Sequence, residues 1–280
     1  MIDALREELR RTNFAGREVS LAEGALVIGG VVALSLRTGR AADPCVLAGI
    51  GALGMIDDLL EPHQRRAGRP VSKGLRGHLG SLLEGHLTTG AAKALGIPLL
   101  SLTGAAAAPS PRGGAMVLAD AALVAGCANL VNLLDLRPGR ALKGVLPPAA
   151  LLLLVSAETD RARTGSRLAL AALLPGMLAL PADLREHGML GDAGANVLGA
   201  AVGSAATRLL PAPARLSLLA AVVALTLASE KVSFSAVIDS TAPLRWLDRV
   251  GRRPAPARRS ARGEAEGPPE GPAAAAEEER

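Results

Sequence analysis

The chain has 280 residues, of which 49% are hydrophobic, and its formal net charge is +5. The apolar residues come in blocks, which excludes an ordinary soluble domain of this length and predicts a membrane protein. With two Phe, one Trp and no Tyr, the basic charge has no aromatic partners, so we assign it to membrane topology and exclude nucleic-acid binding.

About eight apolar segments approach the roughly 20 residues that cross a bilayer. In chain order they lie near residues 21–36, 44–58, 91–108, 114–134, 142–157, 166–182, 193–210 and 214–231. The predicted fold class is therefore all-α, a polytopic bundle of about eight transmembrane helices with its active site on the cytoplasmic face. Residues 1–20 form a cytoplasmic segment and residues 21–239 the membrane domain. Residues 240–280, rich in Pro, Gly, Ala and charge, form a cytoplasmic tail that we expect to be disordered.

Basic residues in the short loops set the predicted orientation. These loops contain Arg65, Arg66, Arg69, Lys73 and Arg76 after the second segment, and Arg137, Arg140 and Lys143 after the fourth. Because cytoplasmic loops are enriched in Lys and Arg, both loops are predicted to lie inside. The same orientation gathers the acidic candidates on the cytoplasmic face, namely Asp57, Asp58, Asp135 and Asp192.

Asp57 and Asp58 stand side by side at the end of the apolar run "DPCVLAGIGALGMIDDLL". A charged side chain in or beside a membrane span costs several kcal/mol, so such residues usually have a function. Adjacent helix positions differ by about 100°, which predicts divided roles, with one carboxylate at a metal and the other acting as a base or orienting a partner. The alternative is that two interfacial charges close the end of a helix.

Asn129, Asn132 and Asp135 recur at a spacing of three in "NLVNLLD". On a helix this spacing gives a polar stripe, which favours the binding of a ligand. Hydrogen bonding between neighbouring helices is an equally reasonable interpretation, because Asn side chains do this in membranes.

Asp192 lies among glycines in "GMLGDAGANVLG", directly before a new apolar segment. A helix N-terminus favours phosphate, and a carboxylate there can hold a divalent cation that bridges to the phosphate. The alternative is an N-cap aspartate after a glycine turn. Further on, Gly199 and Gly203 form a GxxxG pair, which is typical of close helix packing.

Several basic residues are candidates for contact with phosphate groups. Arg137, Arg140 and Lys143 follow Asp135 and either bind pyrophosphate or only enforce topology. Residues 73–87 carry leucines at helical spacing and predict an amphipathic helix on the cytoplasmic interface. His78 in that helix is the best placed of the four histidines to meet a phosphate.

With these motifs in view, the chain resembles the polyprenyl-phosphate N-acetylhexosamine-1-phosphate transferases, or glycosyltransferase family 4. The matching pieces are "TNFAGREV", "GMIDD", "KGLRGHL", "NLVNLLD" and "MLGDAGANVLG", in the family's order over residues 12–200. The resemblance implies a phosphotransferase of the bacterial plasma membrane with Mg²⁺ (or Mn²⁺) as cofactor. The implied reaction moves a sugar-1-phosphate from a UDP-sugar to polyprenyl phosphate and releases UMP, in cell-envelope glycan synthesis. A homodimer is a further possibility that we consider for this chain.

The same resemblance assigns roles to residues. Asp192 is the implied metal ligand, Asp57 the implied base for the lipid phosphate with Asp58 beside it, and Asp135 the third catalytic carboxylate. The implied substrate-binding residues are Asn13, Arg17, Lys73, His78, Asn129, Asn132, Arg137, Arg140, Lys143 and Asn196.

The chain also departs from the family pattern. Pro138 stands where a second Asp is common, Ala195 stands for a usual Ser, and the segment from Ser229 to Arg253 replaces a His-rich loop. A membrane helix usually precedes the "NFAG" region, and we expect it either upstream of a misassigned start or truly missing. These departures favour, as the alternative, a non-catalytic relative that binds polyprenyl phosphate or an envelope partner as a scaffold or regulator. A small transporter is disfavoured, because the charges lie at span ends rather than in their middles.

Overall fold

A computed structural model describes residues 7–66, 89–109 and 113–253. The chain begins with an antiparallel hairpin of β1 (Arg10–Thr12) and β2 (Glu18–Ser20). The helices that follow are α1 (Ala22–Ser35), α2 (Ala42–Arg66), α3 (Thr89–Ala106), α4 (Gly114–Leu134), α5 (Arg140–Leu152), α6 (Asp160–Leu184), α7 (Gly191–Leu209), α8 (Ala212–Ser229), α9 (Phe234–Ser240) and α10 (Ala242–Arg249). The molecule is thus mostly helical, as the composition predicts.

Each of the eight predicted apolar segments overlaps one of the helices α1 to α8. Three of them are long and apolar enough to cross a membrane within the described ranges: α4, α6 and α8. Their outer faces are apolar, as Leu118 on α4, Leu178 on α6 and Leu227 on α8 are each more than 60% exposed. Apolar faces of this kind are the surfaces that lipid covers in a membrane protein.

The central helix is α7, which packs against α1, α2, α4, α5 and α6. Most of its residues are buried and small, so its neighbours approach closely. A β-carbon added at Gly199 would lie 2.4 Å from the Cys127 carbonyl oxygen, and one at Gly203 would lie 2.9 Å from the Val124 Cα, both on α4. The packing role predicted for this GxxxG pair is therefore confirmed.

Buried Arg–Asp pairs join the helices at the end away from Asp192. Arg208 of α7 donates to both carboxylate oxygens of Asp43 on α2, and Arg215 of α8 donates to both oxygens of Asp120 on α4. All four side chains are at most 10% exposed. Buried charges of this kind are tolerated only when paired, so each pair fixes which two helix ends meet.

The boundary predicted at residue 240 differs from the structure. Residues 242–249 form α10 instead of a disordered start of the tail, and the chain is described as far as Arg253. The helix is held because Asp248 is buried against Arg140, a contact between residues 108 positions apart that local composition does not reveal. Lys73, His78 and the amphipathic helix predicted at 73–87 lie outside the described residues, as does the tail after 253.

Candidate active site

The N-terminus of α7 is capped by a side chain from another helix. Leu190 stands at its N-cap position and supplies no side-chain acceptor. Instead, Asp58 of α2 accepts hydrogen bonds from the backbone N–H groups of Asp192 (3.1 Å) and Ala193 (3.0 Å). These are two of the donors that a helix start leaves without intrahelical acceptors. Asp58 therefore fixes the position of Asp192 relative to α2.

Two glycines allow this close approach. A β-carbon added at Gly54 of α2 would lie 2.6 Å from the Asp192 carbonyl oxygen and 2.7 Å from the Ala193 Cα. Gly191 has φ +60°, and a β-carbon there would lie 2.6 Å from Oδ2 of Asp58. Gly54 therefore lets α2 and α7 meet backbone to backbone, and Gly191 leaves room for the Asp58 carboxylate, which brings the three aspartates together.

Lys93 of α3 completes the cluster. Its Nζ donates to Oδ2 of Asp57 (2.7 Å) and to Oδ2 of Asp192. The lysine side chain is 18% exposed, so the two charge-assisted contacts lie largely out of bulk water. Sequence reasoning did not find Lys93, although a lone lysine near the start of an apolar segment is a signal in itself, because an intramembrane cation needs a partner.

The carboxylates of Asp57 and Asp192 are arranged in a way that suits a divalent cation. Their Oδ2 atoms converge on one cationic centre, the ammonium group of Lys93. Mg²⁺ is commonly held by one or two carboxylates together with water and substrate phosphate oxygens. Both oxygens of Asp58 accept from backbone N–H groups, so Asp58 positions the pair and the other two aspartates are the ones that fit a metal.

A cavity of about 520 Å³ opens beside this cluster, between α3, α4, α7 and α8. Its polar lining comes from Lys93, Asn129, Asn132, Asn196, Thr226 and Glu230. Asn196 is 1% exposed and donates from Nδ2 to the Asp192 carbonyl oxygen at 2.7 Å. Three predicted substrate-binding amides therefore share one cavity, which touches the carboxylate cluster through Lys93.

Asp135 lies in a different cavity, of about 270 Å³, because the chain leaves the helical path after α4. This second cavity also contains Asn13 and Arg137. Asn13 donates to Glu186 at 2.5 Å, and Arg17 donates to the other oxygen of the same carboxylate at 2.5 Å. The predicted stripe of Asn129, Asn132 and Asp135 is thus divided between two cavities, since the last residue ends the helix.

The three cations predicted to contact pyrophosphate bind the C-terminal segment instead. Arg137 donates to both oxygens of Asp239 (3.0 and 2.7 Å), and Arg140 donates to Asp248 at 2.7 Å. Lys143 Nζ donates to the carbonyl oxygens at the end of α10, from Leu247, Asp248 and Val250. Although burial opposes ionisation, the hydrogen bond from Arg140 lowers the pKa of Asp248 below its ordinary value. Arg137 also lines the second cavity, so it is the only one of these three described there.

Asp135 is electrostatically unfavourable in its ionised form. Burial, followed by repulsion from Asp183, Asp192 and Asp58, raises its pKa well above the ordinary value. A buried carboxyl group in a cleft with a strongly raised pKa is a candidate functional residue.

Replacing Asp135 with asparagine is therefore expected to stabilise the protein without added metal. We expect a rise in Tm of about 2–4 °C at neutral pH, the change that about 1 kcal/mol gives in a chain of this size. Because the folded pKa is raised, the penalty is zero below about pH 4, where the carboxyl is protonated in both states, and it grows as pH rises. Thermal unfolding in detergent from pH 4 to pH 8 measures this. A variant less stable than the parent at pH 8 would contradict it.

Comparisons with protein families, with curated proteins and with solved structures return no match for this chain.

Proposed function

We propose that the protein is a Mg²⁺-dependent sugar-1-phosphate transferase of the bacterial plasma membrane. Its substrates would be a UDP-sugar, with an N-acetylhexosamine as the sugar, and polyprenyl phosphate. The observation that carries the proposal is the meeting of Asp57, Asp58, Asp192 and Lys93 beside a cavity lined by Asn129 and Asn132. We further propose that all of α1 to α8 span the membrane, with this end of the bundle in the cytoplasm.

Each residue of the cluster has a separate role in the proposed reaction. A phosphate oxygen of the lipid attacks the phosphorus that carries the sugar, a new P–O bond forms there, and the bond to the UMP oxygen breaks. Asp57 receives any proton on the attacking phosphate, and Asp58 holds the α7 start so that Asp192 faces Asp57. Mg²⁺ bound by Asp192 would supply charge neutralisation at the phosphates. Lys93 adds a second positive charge at the same place.

The nucleotide-sugar fits best in the 520 Å³ cavity. Its volume lies within the range of small-molecule sites, and its amides offer donors and acceptors to a uracil or a sugar. Asn196 is committed to the Asp192 carbonyl oxygen, so we assign it to positioning Asp192 rather than to the substrate. Asn129 and Asn132 are the better candidates for direct contact.

A non-catalytic lipid-binding relative is the second candidate function. The observation in its favour is that Arg137, Arg140 and Lys143 are all engaged by the C-terminal segment. Such a protein would use the bundle as a scaffold and would need no metal.

UMP release by the purified protein tests the proposal. The mixture contains undecaprenyl phosphate, Mg²⁺ and one of a panel of UDP-sugars, and Asp192→Asn is compared with Asp160→Asn. Asp160 is an exposed aspartate that starts α6 and pairs with Arg40. We expect release from one donor, a loss of about 100-fold or more in Asp192→Asn, and no change in Asp160→Asn. A folded parent that binds the lipid and releases no UMP from any donor would favour the non-catalytic alternative.

A further inference from the structure

A buried carboxylate outside the Asp57–Asp58–Asp192 cluster has no partner among the described residues. Glu23, in the first turn of α1, is 8% exposed, and neither Oε1 nor Oε2 has a hydrogen-bond partner in the described part of the chain. A buried, unsatisfied carboxylate costs several kcal/mol, and ionisable residues kept in or beside a membrane usually mark a ligand or a pathway. This observation suggests that a bound ligand supplies the donor that the described residues do not provide.

Glu23 lines a cavity of about 700 Å³ between α1 and α6. The walls are apolar, with Leu26 and Leu34 on α1 and Leu174 and Leu178 on α6. Leu26 is 77% and Leu178 is 83% exposed, so the groove opens sideways on the outer surface of the bundle. Because α6 is a candidate membrane span, this opening faces lipid.

The polar groups of the groove are gathered at one end. Ser20, Glu23 and His187 line it there, and Gly188 belongs to the wall that separates this groove from the cavity of Asp135. A β-carbon added at Gly188 would lie 2.4 Å from Oε2 of Glu23, so the backbone of this loop encloses the carboxylate. The groove thus pairs a long apolar wall with an acidic end at the level where α1 begins.

We propose that this groove binds a membrane phospholipid with a primary ammonium headgroup, such as phosphatidylethanolamine. The acyl chain lies along α1 and α6, and the ammonium donates to the two oxygens of Glu23. An anionic headgroup is disfavoured, because it brings no cation to the two oxygens of Glu23 that have no partner among the described residues. The preference for a cationic headgroup distinguishes the groove from the polyprenyl phosphate site of the proposed function. Of that proposed function, the inference uses only the location of the protein in a membrane.

Native mass spectrometry with lipids of three headgroups tests the proposal. The headgroup of phosphatidylethanolamine carries an ammonium with N–H donors. Phosphatidylcholine has the same net charge, but its quaternary ammonium has no N–H donor. Phosphatidylglycerol is anionic and has no ammonium group. We expect phosphatidylethanolamine to be retained about 10-fold better than phosphatidylcholine, which corresponds to about 1.4 kcal/mol. In Glu23→Gln the preference is expected to vanish, whereas the matched Glu230→Gln, at the other cavity, keeps it.

A second variant keeps the test decisive if Glu23→Gln folds poorly. Leu34→Trp narrows the apolar part of the groove and leaves Glu23 in place, so it is expected to lower retention of all three lipids at this site. Equal retention of phosphatidylethanolamine and phosphatidylcholine by the parent, or an unchanged preference in Glu23→Gln, would overturn the proposal. Neither outcome depends on UMP release, so a failure here is distinct from a failure of the transferase proposal.

Discussion

Replacing Lys93 with methionine is expected to lower UMP release by about 100-fold or more while the helices stay folded. The variant removes the ammonium group that lies between Asp57 and Asp192. Methionine keeps the length and the apolar stem of the side chain, so the packing of α3 changes little. Initial rates of UMP release at saturating UDP-sugar measure the effect.

The effect of Mg²⁺ on the Tm of Lys93→Met tests the same site without measuring turnover. Without Lys93 the two carboxylates face each other unneutralised, so Mg²⁺ is expected to raise the Tm of Lys93→Met more than that of the parent. Lys231→Met, at an exposed lysine just after α8, serves as the control and is expected to behave as the parent in both assays. If Lys93→Met released UMP at the parental rate and Mg²⁺ raised its Tm no more than that of the parent, Lys93 would have only a structural role in helix packing.

Replacing Gly54 with alanine is expected to cost about 1–3 kcal/mol of stability and most of the activity. The new methyl group would meet the backbone of Asp192 and Ala193 at 2.6–2.7 Å, and backbone atoms cannot move aside as a side-chain tip can. Parting α2 from α7 also withdraws Asp58 from the N–H groups that it caps. Thermal unfolding and UMP release on the same preparation measure both effects.

The control for this prediction is Gly29→Ala, the same substitution in α1. A β-carbon at Gly29 meets no atom of the described residues within 4 Å, and alanine favours a helix by about 0.5–1 kcal/mol over glycine. We expect Gly29→Ala to keep full activity with equal or greater stability. If Gly54→Ala were as stable as Gly29→Ala, the backbone contact between α2 and α7 would not be the feature that holds the site.

The positions of the helices were predictable because hydropathy blocks report burial or lipid contact directly. The predicted segment near 114–134 and the observed helix Gly114–Leu134 agree, and the segment near 193–210 is almost as close to Gly191–Leu209. The start of α5 differs by two residues, since Gly139 at φ +73° begins the helix at Arg140. The position of a helix does not by itself show that it crosses a membrane. In the described residues, three helices are long and apolar enough to do so.

The residues of the candidate site that could be predicted are those that lie in a single recognisable motif at a helix end. Asp57, Asp58 and Asp192 were expected on one face, and they meet because α2 and α7 are in backbone contact. Lys93 and the partners of Arg140 were not predicted, because each depends on contacts between residues more than 30 positions apart. Periodicity and local motifs carry no information at that distance.

The buried pair of Arg208 and Asp43 has a consequence for the biogenesis of the protein. The two residues are 165 positions apart, so Asp43 is synthesised long before the guanidinium that neutralises it exists. An unpaired carboxylate in a low-dielectric environment is costly, and α2 can therefore reach its final position only after α7 has been synthesised. The early helices must remain incompletely packed until the second half of the chain emerges, so the folding of the first half depends on one late contact.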